Sequence, residues 1–288
     1  MKQLLTMAAL AVAMALVALL PARAETVDIG DGVTLAYTKA GDGDRVAILI
    51  HGYSFSKEIW DRMMPALAED MTVYAYDLRG FGASTKTETG YDYATMVADL
   101  KGFMDGLNIA EAALVGHSLG GVFIQDFAAA HPGRVSHLVL LNVQARNKPP
   151  LGMNDSFKAR IDAWGDAETN QAIFETATPI YFRKGSLSDD ELADLVSHNV
   201  NSGTAALKQS FEHFLTAEPM NEDRWTNIDM PTLIVASTHD IVPISVAAGL
   251  LDTLPQSEVA LIPRAGHSPM WEKPDAVVAA IRDALELR

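Results

Sequence analysis

The sequence predicts an α/β chain: a mostly parallel sheet of eight strands, covered by helices on both faces, with a helical segment inserted after the sixth strand. Three observations carry that expectation. Strand-like and helix-like patterns alternate from Thr26 onward, as a parallel sheet with crossover helices requires. Several strand patterns are unbroken apolar runs, which fits strands buried on both faces. From Ala145 to about Asn227 the strand pattern stops, helical patterns dominate, and a strand pattern then returns.

Thr26–Ile29 and Val33–Tyr37 flank Asp31-Gly32, a dipeptide suited to the positive φ angles of a hairpin turn. Val46–Ile50 is the first continuous apolar run. Ile59, Met63, Met64 and Leu67 then recur at helical spacing, and Met71–Tyr76 reads as the next strand. Met96, Val97, Leu100, Met104 and Leu107 form a helical stripe ahead of the strand Ala112–Val115. Val122–Ala129 reads as helix and Val135–Leu141 as strand. Beyond the insertion, Thr232–Ala236 and Val259–Ile262 complete the strands. The last helix starts at Pro274, a residue suited to a first helical turn, and carries Val277, Val278, Ile281 and Leu285 on one face.

The interruption reads as an insertion into one sheet, so the chain divides into core segments 25–144 and 228–288 and an inserted segment 145–227. Pro149-Pro150 breaks the chain at its start, and Pro231 precedes the returning strand. Ser188-Asp189-Asp190-Glu191 forms a capping box ahead of Leu192, Leu195 and Val196. The segment also concentrates Met153, Phe157, Trp164, Phe174, Tyr181, Phe182, Phe211, Phe214 and Trp225. About two thirds of these are expected to form its own core and the rest to line a pocket.

Residues 1–24 stand apart. Lys2 is followed by an uncharged apolar run, Leu4 to Leu20, and then by Pro21-Ala22-Arg23-Ala24. A basic start, an apolar stretch and an Ala-x-Ala end read as a secretory signal cleaved after Ala24. The alternative is a retained membrane anchor, for which the run is short. Cleavage implies a periplasmic or secreted protein with no stable membrane anchor. The whole chain of 288 residues carries a formal charge of −15, which becomes −17 once the two basic residues of this leader are set aside. Such a balance argues against a nucleic-acid partner. No cysteine is present, which excludes a disulfide scaffold, a Cys-ligated metal and a cysteine nucleophile.

Gly116-His117-Ser118-Leu119-Gly120 lies between an expected strand and an expected helix. In a G-x-S-x-G turn the serine sits on a strained strand-to-helix corner, its hydroxyl lifted clear of the sheet, and side chains at the glycine positions would clash. Three further stretches stand in order around it. His51-Gly52-Tyr53-Ser54 follows the strand 46–50, Asp77-Leu78-Arg79-Gly80-Phe81-Gly82-Ala83-Ser84 follows the strand 71–76, and Gly266-His267-Ser268-Pro269-Met270-Trp271-Glu272-Lys273-Pro274 follows the last strand.

Together these motifs resemble those of the α/β-hydrolase superfamily, and the resemblance covers essentially the whole chain after residue 24. It implies the α/β-hydrolase fold, with the inserted helices as a cap, and places the chain in a serine esterase, lactonase or cofactor-free haloperoxidase-like branch. Serine at position 118, where other branches carry aspartate, disfavours dehalogenase and epoxide-hydrolase chemistry.

A serine hydroxyl needs a base to take its proton. Of the eight histidines, His51 and His117 lie inside glycine motifs that are expected to point them away from the hydroxyl. His131 and His137 flank a helix–strand junction, His198 and His213 lie in the insertion, and His239 neighbours the acid candidate. That leaves His267 as general base. Asp240 follows the strand Thr232–Ala236 by four residues, at the sheet edge where open α/β sheets bind ligands, and is the candidate acid. Some superfamily members carry the acid one strand earlier, where this chain has Asn142; Asp229 and Asp252 read as solvated. The oxyanion donors are the backbone N–H of Leu119, by position, and that of Tyr53, by resemblance. Arg79 is expected to hold carbonyls or a carboxylate away from the chemistry.

The expectation is a serine hydrolase that cleaves carboxylic esters of small apolar substrates through an acyl-enzyme, using Ser118, Asp240 and His267. Lactone, peracid or C–C bond chemistry with the same residues is the alternative, and a ligand-binding or signalling protein is a third reading. No metal or cofactor is expected, since neither H-E-x-x-H nor a dinucleotide loop is present. The partner is a small-molecule ester or lactone.

Overall fold

The computed structural model describes residues 24–152 and 155–287. The expected leader up to Arg23, Met153 and the side chain of Phe157 lie outside what it describes. Eight strands form one sheet: β1 (Ala24–Asp28), β2 (Thr34–Ala40), β3 (Val46–Ile50), β4 (Thr72–Tyr76), β5 (Ala112–His117), β6 (Val135–Leu141), β7 (Thr232–Ser237) and β8 (Ser257–Ile262). Their order is β1-β2-β4-β3-β5-β6-β7-β8, with β1–β2 and β2–β4 antiparallel and the remaining pairs parallel. The β1–β2 hairpin turns where the sequence places it. Asp31 and Gly32 both have positive φ (51° and 72°), and the Val33 N–H donates to the Gly30 carbonyl at 2.9 Å.

Both faces of the sheet are covered, and β3 shows why its run is continuous. Ile48 and Ile50 face one core, with Leu100, Phe103, Phe123 and Phe127; Ala47 and Leu49 face the other, with Trp60, Val73, Val277 and Ile281. Each such large apolar side chain contributes roughly 1.5–3 kcal/mol on burial. The first face is built on α1 (Tyr93–Gly106) and α2 (Leu119–Ala130). Asp92 caps α1 by accepting the Thr95 N–H at 2.9 Å.

One helical pattern is divided. Ile59, Met63, Met64 and Leu67 are all buried, but the helix is split into a 3-10 turn at Lys57–Trp60 and a single helical turn at Met64–Leu67, with Met63 as the cap before the second. Pro65 explains the break: it has no N–H to donate into the preceding turn, so the helix must restart there.

Between β6 and β7 the chain forms α3 (Asp155–Ala163), α4 (Ala167–Ala177), α5 (Asp189–Asn199) and α6 (Thr204–Thr216), followed by a turn at Glu222–Trp225. The α5 capping box is present, Ser188 and Glu191 each accepting the other's backbone N–H. These helices meet the sheet at the carboxyl ends of its strands. The Tyr53 hydroxyl, past β3, donates to the Leu207 carbonyl at 2.8 Å. Past β4, the Gly80 carbonyl accepts the Gly203 N–H at 2.7 Å, and past β8 the Ser268 N–H donates to the Tyr181 carbonyl at 3.0 Å. Two helices then cover the last strands, α7 (Ile244–Thr253) and α8 (Pro274–Ala284).

Candidate active site

Ser118 joins β5 to α2 with φ 50° and ψ −122°, a conformation that costs a non-glycine residue of order 1–3 kcal/mol and persists only where its surroundings enforce it. The enforcement is visible. The Ser118 N–H continues the sheet by donating to the Leu141 carbonyl at 3.1 Å, while its carbonyl already accepts the Val122 N–H at 2.9 Å as the start of α2. The flanking loop approaches so closely that a Cβ on Gly120 would lie 2.4 Å from the His51 carbonyl oxygen, and one on Gly52 would lie 2.9 Å from the Ser118 Cβ.

His267 lies on the loop past β8, buried, and its Nδ1–H donates to Asp240 Oδ1 at 2.6 Å. Asp240 reaches it from the loop past β7, and its side chain is equally enclosed, at 3% exposure. His267 and Ser118 line the same two adjoining cavities. The smaller, about 40 Å³, adds Tyr53, Leu119, Phe55, Tyr181 and Phe211; the larger, about 260 Å³, adds Asn142, Gln144, Val122 and Ile180. The structure thus brings Ser118, His267, Asp240, Tyr53 and Leu119 together at the carboxyl edge of the sheet.

The His267 loop is held by its backbone. Its carbonyl accepts from the Nε2–H of His117 at 2.8 Å and from the Nδ2 amide of Asn142 at 3.0 Å. The same Asn142 amide reaches the Gly266 carbonyl (3.1 Å) and the Ser237 hydroxyl (3.0 Å). Glu272 accepts the Gly266 N–H at 2.5 Å and the Arg183 N–H at 2.9 Å, and also takes the Ser186 hydroxyl. Sequence reasoning set Asn142 aside as unable to ionise and left Glu272 as a motif letter. Their roles arise from contacts across the fold; the one local signal was the Glu272 position in the motif around His267.

His51 points away from Ser118, as expected: its Nδ1–H donates to the Gly52 carbonyl (2.8 Å) and its Nε2 accepts the Leu78 N–H (3.0 Å), while burial lowers its pKa. His117 directs its ring N–H away from that hydroxyl too. Its Nε2 is occupied by the His267 carbonyl, yet its ring lines the smaller cavity with Ser118 and stands 4.8 Å from the His267 ring. Burial drives its pKa well down, so it is neutral. His131, His137, His198 and His213 are part-exposed and His239 exposed.

Tyr53 lines the cavity and also plugs into the inserted helices, where its hydroxyl accepts the indole N–H of Trp164 at 2.8 Å and its ring packs 4.8 Å from Phe211. Burial raises its pKa well above the usual phenol value, so the hydroxyl keeps its proton. Arg79 clasps Asp99 through two hydrogen bonds, away from Ser118. Of the inserted aromatics, Tyr181, Phe211 and Phe214 line the smaller cavity, while Trp164 and Phe174 pack on each other. Among the described residues no group of three His, Cys, Asp or Glu side chains could hold a metal, and no helix is long and apolar enough to cross a membrane.

A non-heme chloroperoxidase from Streptomyces lividans is 30% identical over 245 residues, covering 77% of this chain and 85% of that protein. Two solved structures share the fold: an enol-lactonase from Burkholderia xenovorans LB400 (TM-score 0.80, 23% identity, 90% of this chain and 99% of that one) and an esterase from Exiguobacterium antarcticum (TM-score 0.81, 20% identity, 92% and 100%). The alpha/beta hydrolase family profile matches residues 47–280. With that match spanning most of the chain, on the eight-stranded sheet the family shares, this protein belongs to the alpha/beta hydrolase family and is an enzyme of that family.

Proposed function

We propose that this protein is a serine hydrolase of carboxylic esters in which Ser118 is the nucleophile, His267 the general base and Asp240 the residue that orients it. The observation that carries the reading is the 2.6 Å bond from His267 Nδ1 to Asp240, made by a histidine that shares its cavities with Ser118 on its strained corner. A carboxylate on Nδ1 leaves Nε2 as the proton acceptor and stabilises the imidazolium that forms. Ser118 Oγ then bonds to the acyl carbon as its proton passes to His267. The Tyr53 and Leu119 backbone N–H groups receive the oxyanion, each worth roughly 3–4 kcal/mol in the transition state. The C–O bond of the alcohol breaks as His267 returns the proton to it, and water repeats the sequence to release the acid.

The enol-lactonase and chloroperoxidase likenesses favour one second reading, in which the same residues open a lactone or form a peracid. For location we propose export. β1 opens on Ala24, so cleavage after that residue leaves Glu25–Asp28 to pair with β2. N-terminal sequencing of exported protein tests this, and a start at Met1 would refute it.

The activity test is a panel of p-nitrophenyl esters and lactones with the wild type and Ser118→Ala, alongside a fluorophosphonate probe. Ester turnover and probe labelling, both lost in Ser118→Ala, are expected. Lactone turnover with no ester turnover would select the second reading, and no adduct on Ser118 would favour a ligand-binding protein.

A further inference from the structure

The two cavities that meet at Ser118 differ in size and in chemistry, and the difference constrains the substrate. The smaller, about 40 Å³, is walled by rings and by the residues that carry the oxyanion donors. The larger, about 260 Å³, is more than six times as roomy. Ile180 and Ile241, both nearly half exposed, line it and mark where it opens to solvent.

Beyond Ser118 and His267, the described walls of the larger lobe are apolar except for two carboxamides, Asn142 and Gln144. Asn142 is 97% buried, since its exposure is 3%, and its Nδ2 is fully engaged. Its Oδ1 is buried with no hydrogen-bond partner among the described residues. Gln144 spends its Oε1 on the Leu151 N–H at 2.8 Å, and its Nε2 has no acceptor among the described residues. Gln144 Nε2 therefore offers the lobe a donor, which the oxygen of a terminal hydroxyl satisfies. Among the described residues no Lys, Arg, Asp or Glu lines either lobe, so a charged arm meets no ion partner in these walls.

Resting on the proposed hydrolase reading, we infer that the site takes a neutral ester with one short arm, in the ring-walled lobe, and one longer apolar arm that ends in a hydroxyl, whose oxygen accepts from Gln144. A second long arm has nowhere to go, and a carboxylate arm is rejected.

The test compares kcat/KM for hexyl acetate, methyl hexanoate, hexyl hexanoate, ω-hydroxyhexyl acetate and the acetate ester of ω-hydroxyhexanoate, with fluorophosphonate labelling run in parallel. Hexyl acetate or methyl hexanoate is expected to exceed hexyl hexanoate by at least about tenfold, and ω-hydroxyhexyl acetate to exceed hexyl acetate by about tenfold. The carboxylate-bearing ester is expected to be the poorest. Gln144→Met should bring the hydroxyl-to-alkyl ratio to about one. Equal turnover of hexyl hexanoate would overturn the short lobe, and a ratio that Gln144→Met does not move would overturn the polar anchor; with labelling intact, either leaves Ser118 as nucleophile. Labelling without turnover of any of the esters would overturn the substrate class alone. Neither labelling nor turnover would overturn both readings.

Discussion

The main-chain carbonyl of His267 accepts the imidazole N–H of His117 at 2.8 Å, so the residue before the proposed nucleophile holds the residue proposed as its base. Burial keeps His117 neutral, and a neutral ring bonded through Nε2 to a carbonyl is fixed in one tautomer. Asn142 donates to the same oxygen from the end of β6. Two strands thus fix the position of one backbone atom on the loop that carries His267.

His117→Phe should therefore lower kcat by roughly tenfold to a hundredfold with little change in KM, because it lets the imidazole drift while leaving the pocket walls in place. His117→Gln, which keeps an N–H donor, should recover part of the loss. Steady-state kinetics read beside a urea denaturation curve decide the matter. If kcat falls only in proportion to the fraction unfolded, His117 is a packing residue and nothing more.

The proposed chemistry makes a steeper demand on Ser118 and Asp240. Ser118→Ala should reduce kcat by about 10⁴-fold or more, and Asp240→Asn by a similar factor of about 10⁴, since an amide favours the wrong imidazole tautomer. Steady-state kinetics of both variants beside the wild type check these roles, and near-full turnover in either would refute the role given to that residue.

Tyr53→Phe separates the backbone role of that residue from its side-chain role. The substitution strands the Trp164 indole N–H and the Leu207 carbonyl in a buried setting, at an expected cost of about 1–3 kcal/mol in stability. The Tyr53 backbone N–H survives, so kcat should change by less than about tenfold. Chemical denaturation with kinetics on the folded enzyme checks both halves.

Acid should loosen the inserted helices through Glu191. Its carboxylate accepts the Ser188 backbone N–H and then the Ser188 hydroxyl, and pairs with Arg62, which together lower its pKa to about 2. A depressed carboxylate contributes in full above its unfolded value of 4.5, and that contribution is lost as pH falls toward 2. Ser188→Ala should cost about 1 kcal/mol at neutral pH and flatten the acid dependence of α5 unfolding. Hydrogen exchange of the α5 amides across that range provides the measurement.

Much of this was legible in the chain because it was local. β3 and β6 run as their apolar stretches do, from Val46 to Ile50 and from Val135 to Leu141, and Pro274 opens the last helix. The glycines around Ser118 were readable too, because close approach leaves a composition mark. What stayed hidden lies at long sequence separation. Asn142 meets the His267 carbonyl across 125 residues, and His117 meets it across 150. Neither pairing has a periodicity, and neither residue type is unusual where it stands. Ile59 to Leu67 failed for the opposite reason: the helical spacing was real, but Pro65 cut the helix that spacing alone would draw.

Glu272 fastens two regions that lie far apart in the sequence. By gripping Gly266 together with Arg183 and Ser186, it makes the stretch 181–186 part of the foundation of the His267 loop although that stretch lies between β6 and β7. Transplanting a relative's insertion wholesale would pull that footing away. A chimera that keeps residues 181–186 and exchanges only the helices on either side gives a way to alter substrate range while the His267 loop stays anchored.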